Sequence, residues 1–270
     1  MLDTLIHRWM RIPYALNVHY LQTPKKPRAT VLFIHGIGNT GAAWDDVTAK
    51  LPDDIRVISI DLLGFGSSPA PKWAVYNAKT QASAVLATYL KLRILSPAIV
   101  VGHSLGSLVA IEVTKRYPLL VRSLILCSPP LYEAPVVDKR LNLKSDAVLR
   151  ELYRTASKHP DDFVRLSAVA MKYQLINKSF NVTDDNIASY MAALEAMIIN
   201  QTSLGDAQKL NVPTTIIRGT LDPFVVSRNL KALQRHNSHI QVRSIIAGHE
   251  VRGRYVQFVV REILKTISEK

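Results

Sequence analysis

Five short apolar runs rich in β-branched residues, spaced by stretches of helical periodicity, leave this chain few architectures. Thr30–Ile34, Ile55–Ile60, Ala98–Val101, Ser123–Cys127 and Thr214–Arg218 are largely apolar, without the strict alternation of a half-exposed strand. Parallel strands covered on both faces carry that pattern. Ile240–Ile246 is interrupted by polar residues and reads as a later, more edge-like strand. Asn17–Gln22 reads as an antiparallel edge strand turning at Thr23-Pro-Lys-Lys-Pro27. Between the runs, Asn77–Arg93, Leu105–Tyr117, Val226–His236 and Arg252–Ile267 have helical spacing and supply the crossovers. The expectation is an α/β fold, a doubly wound, mostly parallel sheet.

The alternation stops over residues 131–206, which hold no strand-like run and read as three or four helices. Ser145, Asp161 and Thr183 are the expected N-caps, with acidic residues in the first turn after Ser145 and Thr183. Ile187, Tyr190, Met191, Leu194 and Ile198 form an apolar stripe whose plainest use is packing against the main domain. The expected division is a core of residues 1–130 and 207–270 with a helical insertion over 131–206. An insertion between two strands of one sheet is a candidate cap or lid.

Composition narrows the class. The chain has 270 residues, 48% hydrophobic and 20% charged, which suits a packed core and excludes disorder. One cysteine, Cys127, cannot form an internal disulfide, so a reducing compartment is allowed. No apolar run reaches the roughly 18 residues of a membrane span. Asp3, His7, Arg8 and Arg11 interrupt the amino-terminal apolar residues, which speaks against a signal peptide and for a cytoplasmic location. The net charge of +13 is spread over residues 1–130 and 207–270 and absent from 131–206. Its densest cluster is only Lys25-Lys26-Pro27-Arg28. That pattern is a solvated surface, so no nucleic-acid partner is expected.

The chemistry concentrates at Gly102-His-Ser-Leu-Gly106. This G-x-S-x-G pattern follows a strand and opens a helix, the context that strains the turn and lifts a serine out of a sheet. Further motifs follow other strands: His35-Gly36-Ile37-Gly38, Asp61-Leu-Leu-Gly-Phe-Gly-Ser67, Gly219-Thr-Leu-Asp222, and Gly248-His249 near the carboxyl end. With these the chain resembles the α/β-hydrolase superfamily over nearly its whole length, specifically the single-domain, carboxylesterase-like serine hydrolases with a helical cap.

The resemblance implies a catalytic triad of Ser104, Asp222 and His249, in that chain order. His249 would take the serine's proton and return it to the leaving group, and Asp222 would hold the imidazole's tautomer. Some relatives carry the acid after the strand preceding the cap. Here that place reads Ser128-Pro129-Pro130, which strengthens Asp222. The backbone N–H groups of Ile37 and Leu105 would form the oxyanion hole. Gly36, Asn39, Phe65, Phe224 and Val251 neighbour the motifs and are the expected substrate contacts. His35 is expected to be structural, His103 to point away from the centre, and Asp61 to brace its loop.

No H-E-x-x-H, C-x-x-C, nucleotide fingerprint or P-loop occurs, so neither metal nor cofactor is expected. Dehalogenases and epoxide hydrolases share the loop motifs but carry aspartate at the elbow, and Ser104 argues against both. The expected activity is cofactor-independent hydrolysis of small to medium carboxylic esters. Carbon–carbon or amide hydrolysis on the same triad is the alternative within catalysis, and a small-ligand receptor the alternative outside it. No residue pattern points to a particular oligomeric state.

Overall fold

A computed structural model describes residues 2–133, 158, 180, 182–183 and 186–269. Seven strands form one sheet: β1 (Val18–Gln22), β2 (Ala29–Ile34), β3 (Ile55–Ile60), β4 (Ala98–His103), β5 (Val121–Cys127), β6 (Thr214–Gly219) and β7 (Ile240–Ile245). Their spatial order is β1-β3-β2-β4-β5-β6-β7. β1 pairs antiparallel with β3, and its register shifts between Val18 and Tyr20. Every other pairing is parallel. The α/β, mostly parallel sheet read from the apolar runs is therefore present, with β1 and β7 at its edges.

Strand alternation divides the interior into two apolar layers. Leu32, Ile34, Ile58, Ile60, Val100, Leu124 and Leu126 face one layer. Val31, Phe33, Val57, Ile99, Val101, Ile125 and Cys127 face the other. Successive side chains leave a strand on opposite faces, so a run apolar at every position needs cover on both sides. On the first face lie α1 (Ala78–Lys91), α2 (Leu105–Arg116), α3 (Ile187–Ala193), α4 (Ser203–Ala207) and α5 (Ser227–His236). The second face is covered by α6 (Arg254–Ser268) and the short segment around Trp44 and Val47. Tyr255, Val256, Val259, Ile263 and Ile267 make the buried stripe of α6. Each such side chain contributes about 1.5–3 kcal/mol by leaving water.

Local chemistry sets where helices begin. Asn77 caps α1, its side chain accepting from the Thr80 N–H at 2.9 Å. α2 follows β4 with only Ser104 between them and is buried from Leu105 to Thr114. A Cβ at Gly106 would lie 2.4 Å from the carbonyl oxygens of both Ile34 and His35. Only glycine lets this helix sit so close to β2.

The expected apolar stripe packs on the main-domain core. Tyr190, Leu194 and Ile198 are buried in the first layer, and Ile187 and Met191 rest against it. Helix α3 continues as a π-wound turn over Leu194–Ile199. The hydrogen bonds ahead of α3 centre on Thr183, the expected cap. Asn186 Oδ1 accepts from the Thr183 N–H, and the Thr183 carbonyl accepts from Asn186 and Ile187. Ser145 and Asp161 lie outside the described residues.

Candidate active site

The turn after β4 is strained by design of its sequence. Ser104 holds φ 51° and ψ −121°, a conformation L-residues adopt at a cost of about 1–3 kcal/mol. It persists because the surroundings over-determine it. The Ser104 N–H donates to the Cys127 carbonyl at 2.9 Å, extending the β4–β5 ladder, while the Ser107 N–H takes the Ser104 carbonyl into α2. Gly36 packs on this turn, where an added Cβ would lie 3.2 Å from Ser104 Cβ.

Two backbone N–H groups at this place are left over by the local geometry. Leu105 opens α2, and the first N–H groups of a helix have no intrahelical acceptor. Ile37 occupies the second position of a turn closed by the Asn39 N–H donating to the Gly36 carbonyl at 3.2 Å. Such a turn leaves its second N–H unused, and Gly38 supplies the positive φ, 73°, that follows.

Asp222 and His249 come from the loops after β6 and β7. The sheet register carries past the strands, with Thr220 N–H donating to Ile245 O at 2.8 Å and Leu221 N–H to Ala247 O at 3.0 Å. A side chain at Gly219 would strike the carbonyls of Ala247 and Gly248, so glycine there permits the close approach. The two loops deliver His249 Nδ1 to within 2.9 Å of Asp222 Oδ2. An ionised carboxylate only accepts, so Nδ1 carries the proton and Nε2 is left with its lone pair.

Burial pushes the Asp222 carboxyl up, but hydrogen bonds from His249, Ser128 and the Phe224 N–H outweigh it. The group is held below the ordinary carboxylate range and stays ionised. Its Oδ1 accepts from Phe224 N–H at 2.9 Å. The Asp222 side chain is fully buried, whereas 17% of the His249 side chain is exposed.

His249 is also held from both sides. The Phe224 ring stands edge-on at 5.0 Å, and the His103 ring lies 5.0 Å away. His103 Nε2 donates to the His249 carbonyl at 3.0 Å. The expectation that His103 points away from the centre therefore needs correction. It lies on the face of β4 toward Trp44, and the loop carrying His249 closes over that face. Burial pushes the His103 imidazole below its ordinary pKa, so it is a neutral donor.

The remaining motif residues brace this arrangement. His35 Nδ1 donates to the Gly36 carbonyl at 2.7 Å, and Nε2 accepts from Leu62 N–H at 2.8 Å. Complete burial pushes its pKa down to about 4. The Asp61 carboxylate accepts from Asn17 Nδ2, Gly41 N–H and Ser67 N–H at 2.7–2.9 Å. Phe65 is buried edge-on to His35, Asn39 is buried in its turn, and Val251 lies in the α6 layer.

The sequence reading missed what Ser128 does. It took this position as the empty place of an alternative acid, yet the hydroxyl supports the acid that is present. Ser128 also lies 3.3 Å from the Tyr255 hydroxyl, which donates to the Ile217 carbonyl at 2.8 Å. The signal, a hydroxyl residue at the end of β5, is too common to single out without tertiary contacts.

A family model described as the alpha/beta hydrolase fold matches residues 29–251. Among curated proteins, the probable lysophospholipase BODYGUARD 4 of Arabidopsis thaliana is 32% identical over 120 residues, 44% of this chain and 29% of that protein. The chain spans less than a third of the length of the curated relatives it matches first. Among solved structures, an esterase from Thermogutta terrifontis aligns with TM-score 0.69 and 22% identity, over 90% of this chain and 91% of that one. An enol-lactonase from Burkholderia xenovorans LB400 aligns with TM-score 0.70 and 19% identity, over 95% and 100%. At these identities the structural likeness is one of fold. The family match runs from β2 to the loop that carries His249, and the chain belongs to the α/β-hydrolase fold family.

Proposed function

We propose that this protein is a serine hydrolase acting on small to medium carboxylic esters, without a cofactor. The observation that carries the reading is the 2.9 Å pair of His249 and Asp222, tied through His103 to the strained turn at Ser104. A serine hydroxyl is a poor nucleophile until a base removes its proton. In this reading His249 Nε2 takes the proton as Ser104 Oγ attacks the ester carbonyl, and Asp222 stabilises the imidazolium. The Ile37 and Leu105 N–H groups receive the oxyanion. Collapse expels the alcohol with the proton from His249, leaving an acyl-enzyme. Water then attacks, His249 again takes the proton, and the carboxylic acid leaves as Ser104 recovers its own.

The relatives and neighbours, a probable lysophospholipase, an esterase and an enol-lactonase, agree with ester chemistry. Residues 131–206 are proposed as the cap. Gly36, Asn39, Phe65, Phe224 and Val251 are proposed as the surroundings of the substrate, Phe224 being the one in ring contact with His249.

The test is steady-state release of p-nitrophenol from short acyl esters over many enzyme equivalents, abolished by Ser104→Ala. Mass spectrometry should place a fluorophosphonate adduct on Ser104 alone. A stoichiometric burst without turnover would move the reading to a small-ligand receptor. Feeble ester turnover beside rapid cleavage of a diketone or amide would move it to that bond.

A further inference from the structure

The amino-terminal segment leaves most of its apolar side chains in solvent. Residues Leu2–Thr4 are α-helical and Leu5–Trp9 continue as a π-wound turn. Ile6 and His7 are half-buried against the protein, while the Asp3 side chain stays 64% exposed at its rim. The Tyr14 hydroxyl donates to Asp3 Oδ2 at 2.8 Å, and the His7 ring stacks on Tyr14 with centroids 3.6 Å apart. The face turned outward carries Leu2, Leu5 and Trp9, with Met10 and Ile12 following. Leu2 is 70% exposed and Trp9 73%. A surface helix ordinarily buries its apolar stripe and gives water its polar one. Here Leu2, Leu5 and Trp9 are left in solvent, beside Val75, itself 62% exposed.

Charge around this patch is mostly positive. Arg8, Arg11, Lys72 and Lys79 are exposed around it. The only acid in residues 2–14 and 62–80 is Asp3, which is engaged with Tyr14. His7, Arg8, Arg11, Val75 and Lys79 border one groove of about 470 Å³ between the segment and the start of α1. Large exposed apolar patches are uncommon on proteins that meet only water. A tryptophan and leucines ringed by arginine and lysine match an interface that is apolar below and anionic above.

We propose that residues 2–12 and the adjoining 72–79 segment form a docking surface for an anionic phospholipid bilayer. Leu2, Leu5, Trp9 and Met10 enter the boundary between headgroups and acyl chains, while Arg8, Arg11, Lys72 and Lys79 contact the phosphates and carboxylates. The segment lies in the plane of the membrane. No helix among the described residues is long and apolar enough to cross one. Leu63, which follows β3, also lines the groove, so the patch borders the carboxyl edge of the sheet from which Ser104, Asp222 and His249 project.

The experiment is co-sedimentation of the full chain with unilamellar vesicles of phosphatidylcholine, alone or with about one-third phosphatidylserine. The chain is expected to bind the mixed vesicles at least about tenfold more tightly, since each basic side chain near such a surface contributes about fivefold. Leu5→Glu with Trp9→Glu should weaken that binding by at least about tenfold at an unchanged thermal midpoint. Arg8→Ala with Arg11→Ala should remove most of the preference for phosphatidylserine, as should raised salt. Both pairs are exposed, and circular dichroism confirms that each variant folds; Trp9→Ser serves if the acidic pair does not. Absence of binding to the mixed vesicles, or equal binding by the folded variants, overturns the proposal. So does a lipid-free dimer that Leu5→Glu with Trp9→Glu splits, which would assign the patch to a second copy.

Discussion

Asp222 shows how much of a site can rest on one side chain's surroundings. Burial alone raises its pKa, and hydrogen bonds from His249, Ser128 and the Phe224 N–H reverse that shift. Asp222→Asn should keep the fold and lower kcat by roughly 10⁴, because an amide no longer requires the proton on Nδ1. Activity within about tenfold of the parent would place the orienting carboxylate elsewhere. Ser128→Ala removes one donor and leaves the His249 contact in place. Its expected effect is a fall in kcat of about three- to tenfold with KM unchanged, and an acidic limb of the pH–rate profile shifted upward. An unchanged limb would reduce Ser128 to packing.

Helix α2 meets β2 backbone to backbone. At Gly106 the obstruction is main chain, the carbonyls of Ile34 and His35, which cannot rotate aside as a side chain would. Gly106→Ala should therefore cost more than about 2 kcal/mol in urea unfolding, although alanine favours helix. A neutral or stabilising result would show that β2 and α2 can separate freely. The same contact sets the site, since β2 leads to Ile37, and α2 begins at Leu105 directly after Ser104.

Across the whole molecule, two buried imidazoles make stability depend on pH. His35 has its pKa pushed down to about 4 by burial, and His103 is lowered by the same cause. An unfolded histidine titrates near about 6.5, so between about 6.5 and 4 the unfolded chain binds more protons than the folded one. Neutral burial costs nothing above that window, and stability falls as pH drops through it. The thermal midpoint should decline from pH 6.5 to 4, and His35→Gln should flatten that decline while lowering the midpoint at pH 7. Parallel curves for parent and variant would contradict this. Asp222 acts at lower pH: its contribution is present above the ordinary carboxylate pKa and is lost as pH falls through its depressed folded value.

Hydrophobic patterning along the chain was enough to find all seven strands within a few residues. It also placed β1 as the antiparallel edge and brought the serine, aspartate and histidine motifs to strand ends, because apolar period and chain order are properties of the chain alone. The elbow could be read because its strand, its G-x-S-x-G turn and its helix are consecutive in the chain. Other features depend on residues distant in sequence. His103 and His249 meet across 146 positions. Ser128 and Tyr255 meet across 127. No local pattern encodes such pairs, since a histidine or serine at a strand end has many uses. The outward apolar residues of 2–9 escaped for a related reason: helical spacing separates two faces but does not say which one the rest of the protein covers. Packing decides that, with the His7 ring stacked on Tyr14 and Leu2, Leu5 and Trp9 left outward.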